Sequence, residues 1–403
     1  MDAARRELPG GWVAIRDGLV EAVGDGEPPD CEERIDASGC VVCPGLVNAH
    51  QHLWYTLFRG LGEGLTLERW LERLLFPLGA LVGEADLVLA TRLACVEMLA
   101  TGTTCAFEHS VTRTRPETAL AVAAAARESG FRLVVGKEVR AGDDLAEVQA
   151  LARELPYPAL VVETAAHWLA RGTTTDELIL AAHELGLRIS DHAATGAREL
   201  YRGGDVEHLH ELGVLDERWL LVHAIHLSDR DVELLGESGA WVVDTPTSQA
   251  ARGGGVTRSR DLRRFALGTD GPMVDASVDM LEQAKALLAQ QANAALDPAR
   301  LDARAALAAA TIDAAAALGL DAEIGSLEPG KRADVAVFDL SGPHVGIVHD
   351  PVVSLVTAAR GPDARHVLVD GIPRDTLSRE AYGALRDEAA ARARELASLA
   401  GLR

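Results

Sequence analysis

Two histidines one residue apart, together with three more side chains of metal-binding type, stand out in this sequence. His50 and His52 close one apolar run, and strand side chains two residues apart point to the same face. His192, His223 and Asp270 each end a separate apolar run. Imidazole nitrogens and carboxylate oxygens are donors that zinc-class metals take in proteins. A lone His-x-His pair is weak, but the five side chains together predict a divalent metal site that activates water.

Such a site needs a scaffold that brings the ends of distant segments together. Apolar, β-branched runs ending in a polar residue alternate with Ala/Leu/Glu-rich stretches of helical periodicity. After a longer first interval, the run ends recur roughly every 30 residues, the length of one βα unit. Eight such runs predict an α/β fold, a TIM-like (β/α)8 barrel whose chemistry lies at the strand carboxyl ends. The runs are 46–50, 105–108, 133–137, 161–167, 189–192, 220–223, 241–244 and 266–270.

A doubly wound open sheet is the competing architecture for an alternating pattern. The first strand, however, is not followed by Gly-x-Gly-x-x-Gly. The long first interval holds an extra helical segment around 68–78 and a helix over 84–100 that ends before Gly102.

The chain ends do not fit the barrel pattern, because they contain short strands and turns. Residues 1–43 and 322–375 are predicted to form one small β-sandwich domain, 44–321 the barrel, and 376–403 a C-terminal helix. Cys40 and Cys43 have C-x-x-C spacing without a second pair that would complete a tetrahedral zinc site, so we interpret them as strand residues.

The amino-acid composition and net charge narrow the classes of molecule that this protein is expected to bind. The 403 residues are 48% hydrophobic and carry a formal net charge of -22, which argues against a nucleic-acid partner and favours a small molecule. The polar N-terminus and the lack of a long apolar run predict a cytoplasmic protein without a membrane partner. Five cysteines do not suggest a disulfide framework.

The segment from Pro44 to His52 resembles the signature after the first barrel strand of the amidohydrolase superfamily, nearest to its S-adenosylhomocysteine/guanine deaminase and triazine hydrolase (chlorohydrolase) branch. The resemblance covers about 18–371. Further matching motifs are Arg59-Gly60, Glu68-x-Trp70-Leu71, Gly102-Thr103-Thr104, His223-Ala224-Ile225-His226-Leu227-Ser228, Pro246-Thr247-Ser248, Gly268-Thr269-Asp270-Gly271 and the run from Gly325 to Asp334.

The resemblance implies an enzyme that binds one divalent metal ion, with zinc preferred and iron as the alternative. Its ligands would be His50, His52, His192, His223 and Asp270, with Asp270 also the general base and His223 in the catalytic group. His167 matches a position that often contacts substrate, and Trp54 lies near the predicted mouth. The family also implies a homodimer.

Two strands depart from the branch's pattern. The fifth usually carries His-x-x-Glu, but Thr195 stands in place of this Glu, and a hydroxyl is not a general acid at neutral pH. The seventh reads Asp244-Thr245-Pro246 where the branch often has a histidine. We expect Asp244, Glu108 or Glu163 to replace the acid, or Lys137 instead to supply the proton or bind an anionic substrate. Alternatively, Lys137 forms a buried ion pair with Glu108 or Glu163. The remaining histidines, His109 among them, are expected in solvated or supporting roles.

Three functions remain open. The first is hydrolytic deamination of an aminated heterocycle by metal-activated water, releasing ammonia. The second uses the same site to release chloride or an alkylamine, or to open a cyclic amide. The third is a metal-binding barrel that has lost turnover together with the fifth-strand Glu.

Overall fold

The computed structural model describes residues 5–110, 116–139, 143, 145–162, 176–195, 203–275, 277–374 and 378–402. Eight strands form one sheet in chain order, and each neighbouring pair is parallel. The backbone amides of Thr269 and Asp270 both donate to the carbonyl of His50, at 3.1 Å, which brings the two edges together. The predicted barrel fold is confirmed. Its strands are β4 (Leu46–Gln51), β5 (Thr103–His109), β6 (Arg132–Glu138), β7 (Pro158–Val161), β8 (Arg188–Ala193), β9 (Trp219–His223), β10 (Trp241–Asp244) and β11 (Phe265–Leu267).

Helices follow the strands and cover the barrel. Ala90, Ala94 and Met98 of the helix Glu84–Ala100 are buried in an apolar cluster with Leu133 and Val135 of β6. The α-helices of the described residues are Leu67–Trp70, Phe76–Gly79, Glu84–Ala100, Pro116–Glu128, Leu145–Glu154, Asp176–Glu184, Asp205–Glu211, Asp229–Ser238, Pro246–Ala251, Met280–Ala295, Ala303–Ala309, Ile312–Ala317, Pro351–Thr357 and Arg379–Leu399, with a π-helix at Leu71–Leu75 and 3-10 helices at Leu53–Phe58, Ser259–Asp261 and Gly361–Asp363.

The barrel interior is a separate apolar cluster. It contains Val47, Phe107, Val161, Val222 and Val243, which come from five different strands. Because strand side chains alternate, residues at the opposite positions face the helices instead. The rule fails at two strand ends, because His50 and His223 directly follow the interior residues Ala49 and Val222 and still lie together at the carboxyl end of the barrel.

Both chain ends contribute strands to small antiparallel sheets. Strands β3 (Cys40–Pro44), β12 (Val335–Asp339), β13 (Ala364–Val369) and β14 (Ile372–Pro373) form one sheet, in the order β14-β13-β12-β3. A two-stranded sheet pairs β1 (Trp12–Arg16) with β2 (Leu19–Gly24), and a bridge joins Leu19 to Arg332. Cys40 and Cys43 lie in β3 as free thiols, as predicted. The predicted domain boundaries stay a prediction.

A buried ion network ties the amino end of the barrel to the small sheet. The Arg132 guanidinium, at the start of β6, donates to Asp334 at 3.1 and 3.2 Å and to Asp370 at 2.8 Å. Asp334 also accepts the backbone N–H of Asp370 at 2.9 Å. Arg132 and Asp334 are almost fully buried, so the pair forms part of the core.

Two strands end earlier than the sequence predicts. β7 ends at Val161, where the predicted fourth strand begins, because the apolar run already starts at Pro158. β11 ends at Leu267, so Asp270 lies beyond it in a left-handed conformation. Among the described helices, none alone is long and apolar enough to cross a membrane. Leu67–Gly79 and Glu84–Ala100 pass that test only as a pair, bent by 116°.

Candidate metal centre

The structure brings the predicted histidines together at the carboxyl end of the barrel. The ring of His50 lies 4.8 Å from that of His52, 5.2 Å from His192 and 5.9 Å from His223, measured between ring centroids. The rings of His192 and His223 stack at 5.4 Å. All four side chains are buried. Segments far apart in sequence therefore meet in one cluster, as the barrel topology requires.

Asp270 joins this cluster through one carboxylate oxygen. Its Oδ1 lies 3.5 Å from His52 Nε2 and 3.8 Å from His50 Nε2, and accepts the N–H of Gly271 at 2.8 Å. Its Oδ2 accepts the Ser248 hydroxyl at 2.5 Å and Arg252 Nη2 at 3.2 Å. Burial opposes ionisation, but Arg252 and a hydrogen bond with His50 outweigh it and hold the pKa of Asp270 well below its usual range. The carboxylate is thus ionised and fixed at both oxygens.

The donor set fits a divalent ion. The ligand atoms of His50, His52 and Asp270 all lie within 4.8 Å of one another. His52 Nδ1 lies 2.7 Å from a backbone carbonyl, which can only accept, so Nδ1 carries the proton and Nε2 presents its lone pair. Burial and neighbouring imidazoles lower the pKa of His52, and burial lowers that of His223. Neutral imidazoles and an ionised carboxylate are the protonation states that metal binding requires.

Unusual backbone geometry aims these side chains. His223 and Asp270 have φ of 69° and 57°, and Ala194 and Ala224 beside them have 47° and 45°. Each such non-glycine residue costs about 1–3 kcal/mol and persists only where its surroundings enforce it. Gly271 is required at this turn, because a Cβ there would lie 1.9 Å from the Tyr55 ring.

Comparison with known proteins agrees with this geometry. A sequence model of the amidohydrolase family matches residues 41–372. The chain belongs to the amidohydrolase family. It is 34% identical over 406 residues to a 5-methylthioadenosine/S-adenosylhomocysteine deaminase of Syntrophobacter fumaroxidans, covering 92% of this chain and 89% of that protein.

Solved structures place this amidohydrolase in the same fold. An adenosine deaminase from Xanthomonas campestris with bound zinc has a TM-score of 0.84 and 26% identity, covering 96% of this chain and 94% of that one. A variant of an atrazine chlorohydrolase from Arthrobacter aurescens has a TM-score of 0.80 and 20% identity, covering 95% and 94%. The second likeness concerns the fold alone.

Arg252 is a residue of this site that sequence reasoning missed. It follows the helix Pro246–Ala251, donates to Asp270 and stacks its guanidinium 4.4 Å from the centre of the Trp70 ring. Trp70 lies in the insertion after β4. The contact depends on how the ends of two short helices approach each other, and no local pattern around Arg252 predicts it.

His109 was also missed. It is the last residue of β5 and lies within the histidine cluster, 4.2 Å from the His192 ring and 4.8 Å from the His50 ring. The predicted strand stopped at Glu108, one residue short. Strand alternation from the interior residue Phe107 would have found His109 on the same face.

The same alternation corrects two predicted substrate contacts, Glu108 and Lys137. Glu108 lies opposite Phe107 and His109, accepts the N–H of Leu53 at 2.7 Å, and has its pKa raised to about 8 by burial. Lys137 donates to the carbonyl of Glu138 and forms an ion pair with Asp143 at 3.4 Å. The alternative interpretation, an ion pair of Lys137 with Glu108, is not what the structure shows, and Glu163 lies outside the described residues. Both were assigned to the barrel mouth from their strand-end positions, without regard to which face they occupy.

Asp244 likewise lies on the face opposite the interior residue Val243. Its Oδ1 accepts Gln249 Nε2 at 3.0 Å and its Oδ2 accepts the Ser259 hydroxyl at 2.5 Å, while burial raises its pKa to about 7. Gln249 Nε2 also lies 3.4 Å from Thr245 Oγ1, which lies 2.9 Å from His223 Nδ1. Asp244 therefore does not contact the His223 ring directly but reaches its Nδ1 through Gln249 and Thr245.

The other predicted contacts differ in their outcome. Trp54 is 1% exposed and packs against Tyr55 and Phe58, so it belongs to the apolar cluster, while Tyr55 stacks on His52 at 4.5 Å. Thr195 is buried and follows the left-handed Ala194. The predicted contacts Glu163 and His167 lie outside the described residues.

Proposed function

We propose that this amidohydrolase hydrolyses the exocyclic C–N bond of an aminated purine nucleoside, with a 5'-modified adenosine as the first candidate. Water adds its oxygen to the ring carbon, the C–N bond breaks, and ammonia leaves as the ring becomes a lactam. The observation that carries this proposal is the convergence of the buried imidazoles on Asp270 Oδ1. The substrate class rests on the relatedness to a 5-methylthioadenosine/S-adenosylhomocysteine deaminase.

Zinc is the proposed ion, and its proposed ligands are His50, His52, His192, His223 and Asp270. An imidazole and carboxylate donor set suits zinc, and the similar adenosine deaminase from Xanthomonas campestris contains it. When bound, such an ion would lower the pKa of a water molecule it holds to about 7 and polarise the atom under attack. The homodimer and the cytoplasmic location stay predictions.

Asp270 is the proposed proton acceptor. Its low pKa keeps it ionised at neutral pH, and Ser248 and Arg252 hold Oδ2 while Oδ1 faces the imidazoles. A carboxylate fixed in this way takes a proton from the attacking water without first reorienting. It then returns this proton to the departing nitrogen, while the second proton of the water moves to the adjacent ring nitrogen, so the products are neutral ammonia and a neutral lactam.

His223 is the second proposed catalytic group, and Asp244 acts behind it as a positioning residue. Thr245 Oγ1 holds His223 Nδ1, Gln249 holds Thr245, and Asp244 holds Gln249. This chain of contacts fixes the imidazole ring from the side opposite its Nε2. It does not place the Asp244 carboxyl at a substrate nitrogen.

Release of chloride from a related heterocycle is the second candidate. It is favoured by Thr195, whose buried hydroxyl stands in place of a carboxylic acid. A good leaving group such as chloride departs without a proton, whereas an amine requires one. The same metal site would then hydrolyse the substrate without a residue that protonates the leaving group.

Product analysis of the metal-loaded protein tests both candidates. Zinc-loaded protein with about one equivalent of metal is offered 5'-methylthioadenosine, S-adenosylhomocysteine, 5'-deoxyadenosine, guanine and a chlorotriazine, and ammonia and chloride are measured. Ammonia equimolar with the deaminated nucleoside, lost in Asp270→Asn, supports the deaminase. Chloride alone supports the second candidate. Protein that never retains stoichiometric metal contradicts both, and metal-loaded protein inactive on every compound contradicts the proposed substrate class.

A further inference from the structure

His109 occupies the same space as the predicted ligands. Its ring centroid lies 4.2 Å from that of His192, 4.8 Å from His50 and 5.2 Å from His52. The rings of the predicted ligand pairs His50–His52 and His192–His223 lie 4.8 and 5.4 Å apart. His109 is also fully buried. The distances from His109 to the predicted ligands are as short as those between the predicted ligands, so His109 belongs to the same cluster.

The way the His109 ring is held also matches that of the predicted ligands. His109 Nδ1 lies 2.9 Å from Ser190 Oγ, a contact made from β8. His52 and His223 are held through the same ring atom, Nδ1, by a backbone carbonyl and by Thr245. A fixed partner on one ring nitrogen that orients the other nitrogen is the usual arrangement around metal-bound histidines.

Ser190 connects this contact to the cluster. It lies two residues before His192 on β8, so both side chains face the barrel interior. One strand therefore supplies a predicted ligand and also the hydroxyl that orients His109. The two rings lie 4.2 Å apart, and their ligand atoms lie within 4.8 Å of each other.

We propose that His109 is an additional ligand of the divalent ion, in a donor group with His50 and His192. The ligand atoms of these three residues lie within 4.8 Å of one another, as do those of His50, His52 and Asp270. Because the two groups share His50, the proposal is one ion with an enlarged donor set and not two separate ions. The inference rests on the metal site of the proposed function but assigns a ligand that the amidohydrolase resemblance does not.

The additional imidazole has a chemical consequence. A donor set richer in nitrogen raises affinity for ions that favour imidazole, such as zinc, copper, iron and nickel. His109 also fills a coordination position that the resemblance alone would leave to solvent or substrate. The coordination number of the resting site is therefore predicted to be higher than that of the five-ligand set without His109.

Metal binding in the absence of substrate tests this assignment. His109→Asn keeps an amide close to Ser190 but removes the Nε2 donor. Zinc affinity is measured by competition with a chromophoric chelator, and coordination from the visible spectrum of the cobalt-substituted protein. We expect His109→Asn to weaken affinity by at least about tenfold and to alter the cobalt spectrum. Ser190→Ala, which only releases the ring, should weaken affinity by about tenfold.

The controls separate this inference from the proposed function. His183→Asn, in a helix outside the barrel, removes a histidine held by Arg218 and should change neither readout. Asp270→Asn reports on the predicted site itself. If it weakens binding while His109→Asn leaves affinity and spectrum unchanged, His109 is not a ligand and the proposed function stands. Loss of metal from the wild type would overturn the proposed function as well. Circular dichroism of each metal-free variant identifies one that has not folded, and His109→Gln then replaces His109→Asn.

Discussion

Arg252 donates through Nη2 to Asp270 Oδ2 at 3.2 Å while its guanidinium carbon lies 4.4 Å from the centre of the Trp70 ring. The stacking holds the guanidinium in place, and the guanidinium holds the carboxylate. Trp70 belongs to the insertion after β4, and Arg252 follows the helix after β10. The orientation of the proposed general base therefore depends on two segments that the barrel pattern does not include.

Arg252→Ala should reduce kcat/KM by about tenfold to hundredfold, because a hydrogen bond to a charged group contributes about 1.5–3 kcal/mol. The loss should appear in kcat more than in KM, since the residue acts through Asp270. The kcat/KM of Arg252→Lys should lie between those of the wild type and Arg252→Ala, because a lysine keeps the charge but not the planar stack on Trp70. Steady-state kinetics with the aminated substrate measure kcat and KM for both variants.

Arg230→Ala is the matched control, because Arg230 pairs with Glu233 on an exposed helix surface at 3.1 Å. It should leave kcat/KM unchanged. An Arg252→Ala enzyme with wild-type kcat would show that Ser248 and the ligand geometry alone position Asp270.

Asp270→Asn should lower kcat by about 10²–10⁴-fold, the usual contribution of a general base. The amide cannot accept the proton, although it keeps the shape that contacts Ser248 and Gly271. Metal content is measured on the same samples. A variant that retains metal and more than about a tenth of wild-type kcat would contradict the role of Asp270 as base.

The barrel and the meeting of the five metal-type side chains at its carboxyl end could be inferred from sequence because both follow from periodicity. A polar residue at the end of an apolar run lies at the strand carboxyl end, and a closed barrel brings these ends together. Asp270 was placed correctly beside the histidines although β11 ends at Leu267, because the turn after the strand folds back onto His50.

The wrongly predicted contacts lie on the predicted strands, but their side chains were assigned to the wrong face of the strand. Glu108 and His109 are neighbours, and one faces the helices while the other faces the metal-type residues. The predicted strand ended at Glu108, so that residue was assigned to the site. A strand that is one residue longer ends at His109, whose side chain lies on the opposite face. Arg252 could not be inferred in any case, because its role arises from a contact between the ends of two short helices that are distant in sequence.

Thr195→Glu should raise the rate of ammonia release from an aminated substrate by about tenfold or more, because it supplies an acid where only a hydroxyl stands. Chloride release from a chlorotriazine should change little, since chloride departs without a proton. Thr195→Gln, of similar volume but without an acidic proton, is the control. Equal effects of the Glu and Gln variants would show that Thr195 affects packing and not proton transfer.

Arg132→Met should destabilise the fold by about 3–5 kcal/mol, because it leaves the buried Asp334 carboxylate without its charged partner. Urea unfolding gives the change in free energy, and zinc affinity should stay constant because the network lies at the opposite end of the barrel. Arg386→Ala, which breaks an exposed pair with Asp387, should change stability by less than about 0.5 kcal/mol. A mild effect of Arg132→Met would mean that water replaces the lost contacts.

Asp244→Asn should remove a component of the pH dependence of stability. Burial raises the pKa of Asp244 from 3.8 to about 7 in the folded state. Between pH 4 and 7 the unfolded chain therefore loses this proton while the folded chain keeps it, so stability falls as pH rises, by up to about 4 kcal/mol, and is flat above pH 7. Relative to wild type, the Asn variant should gain stability from pH 4.5 to pH 8.

Urea unfolding of the metal-loaded proteins at pH 4.5, 6 and 8 measures this difference, and the other titrating groups cancel because both proteins contain them. Kinetics on the same variant test the role of Asp244. As a positioning residue behind Gln249 and Thr245, its replacement by Asn should change kcat/KM by less than about tenfold and keep the shape of the pH profile. A hundredfold loss together with a vanished limb of that profile would instead make Asp244 the acid that Thr195 cannot be.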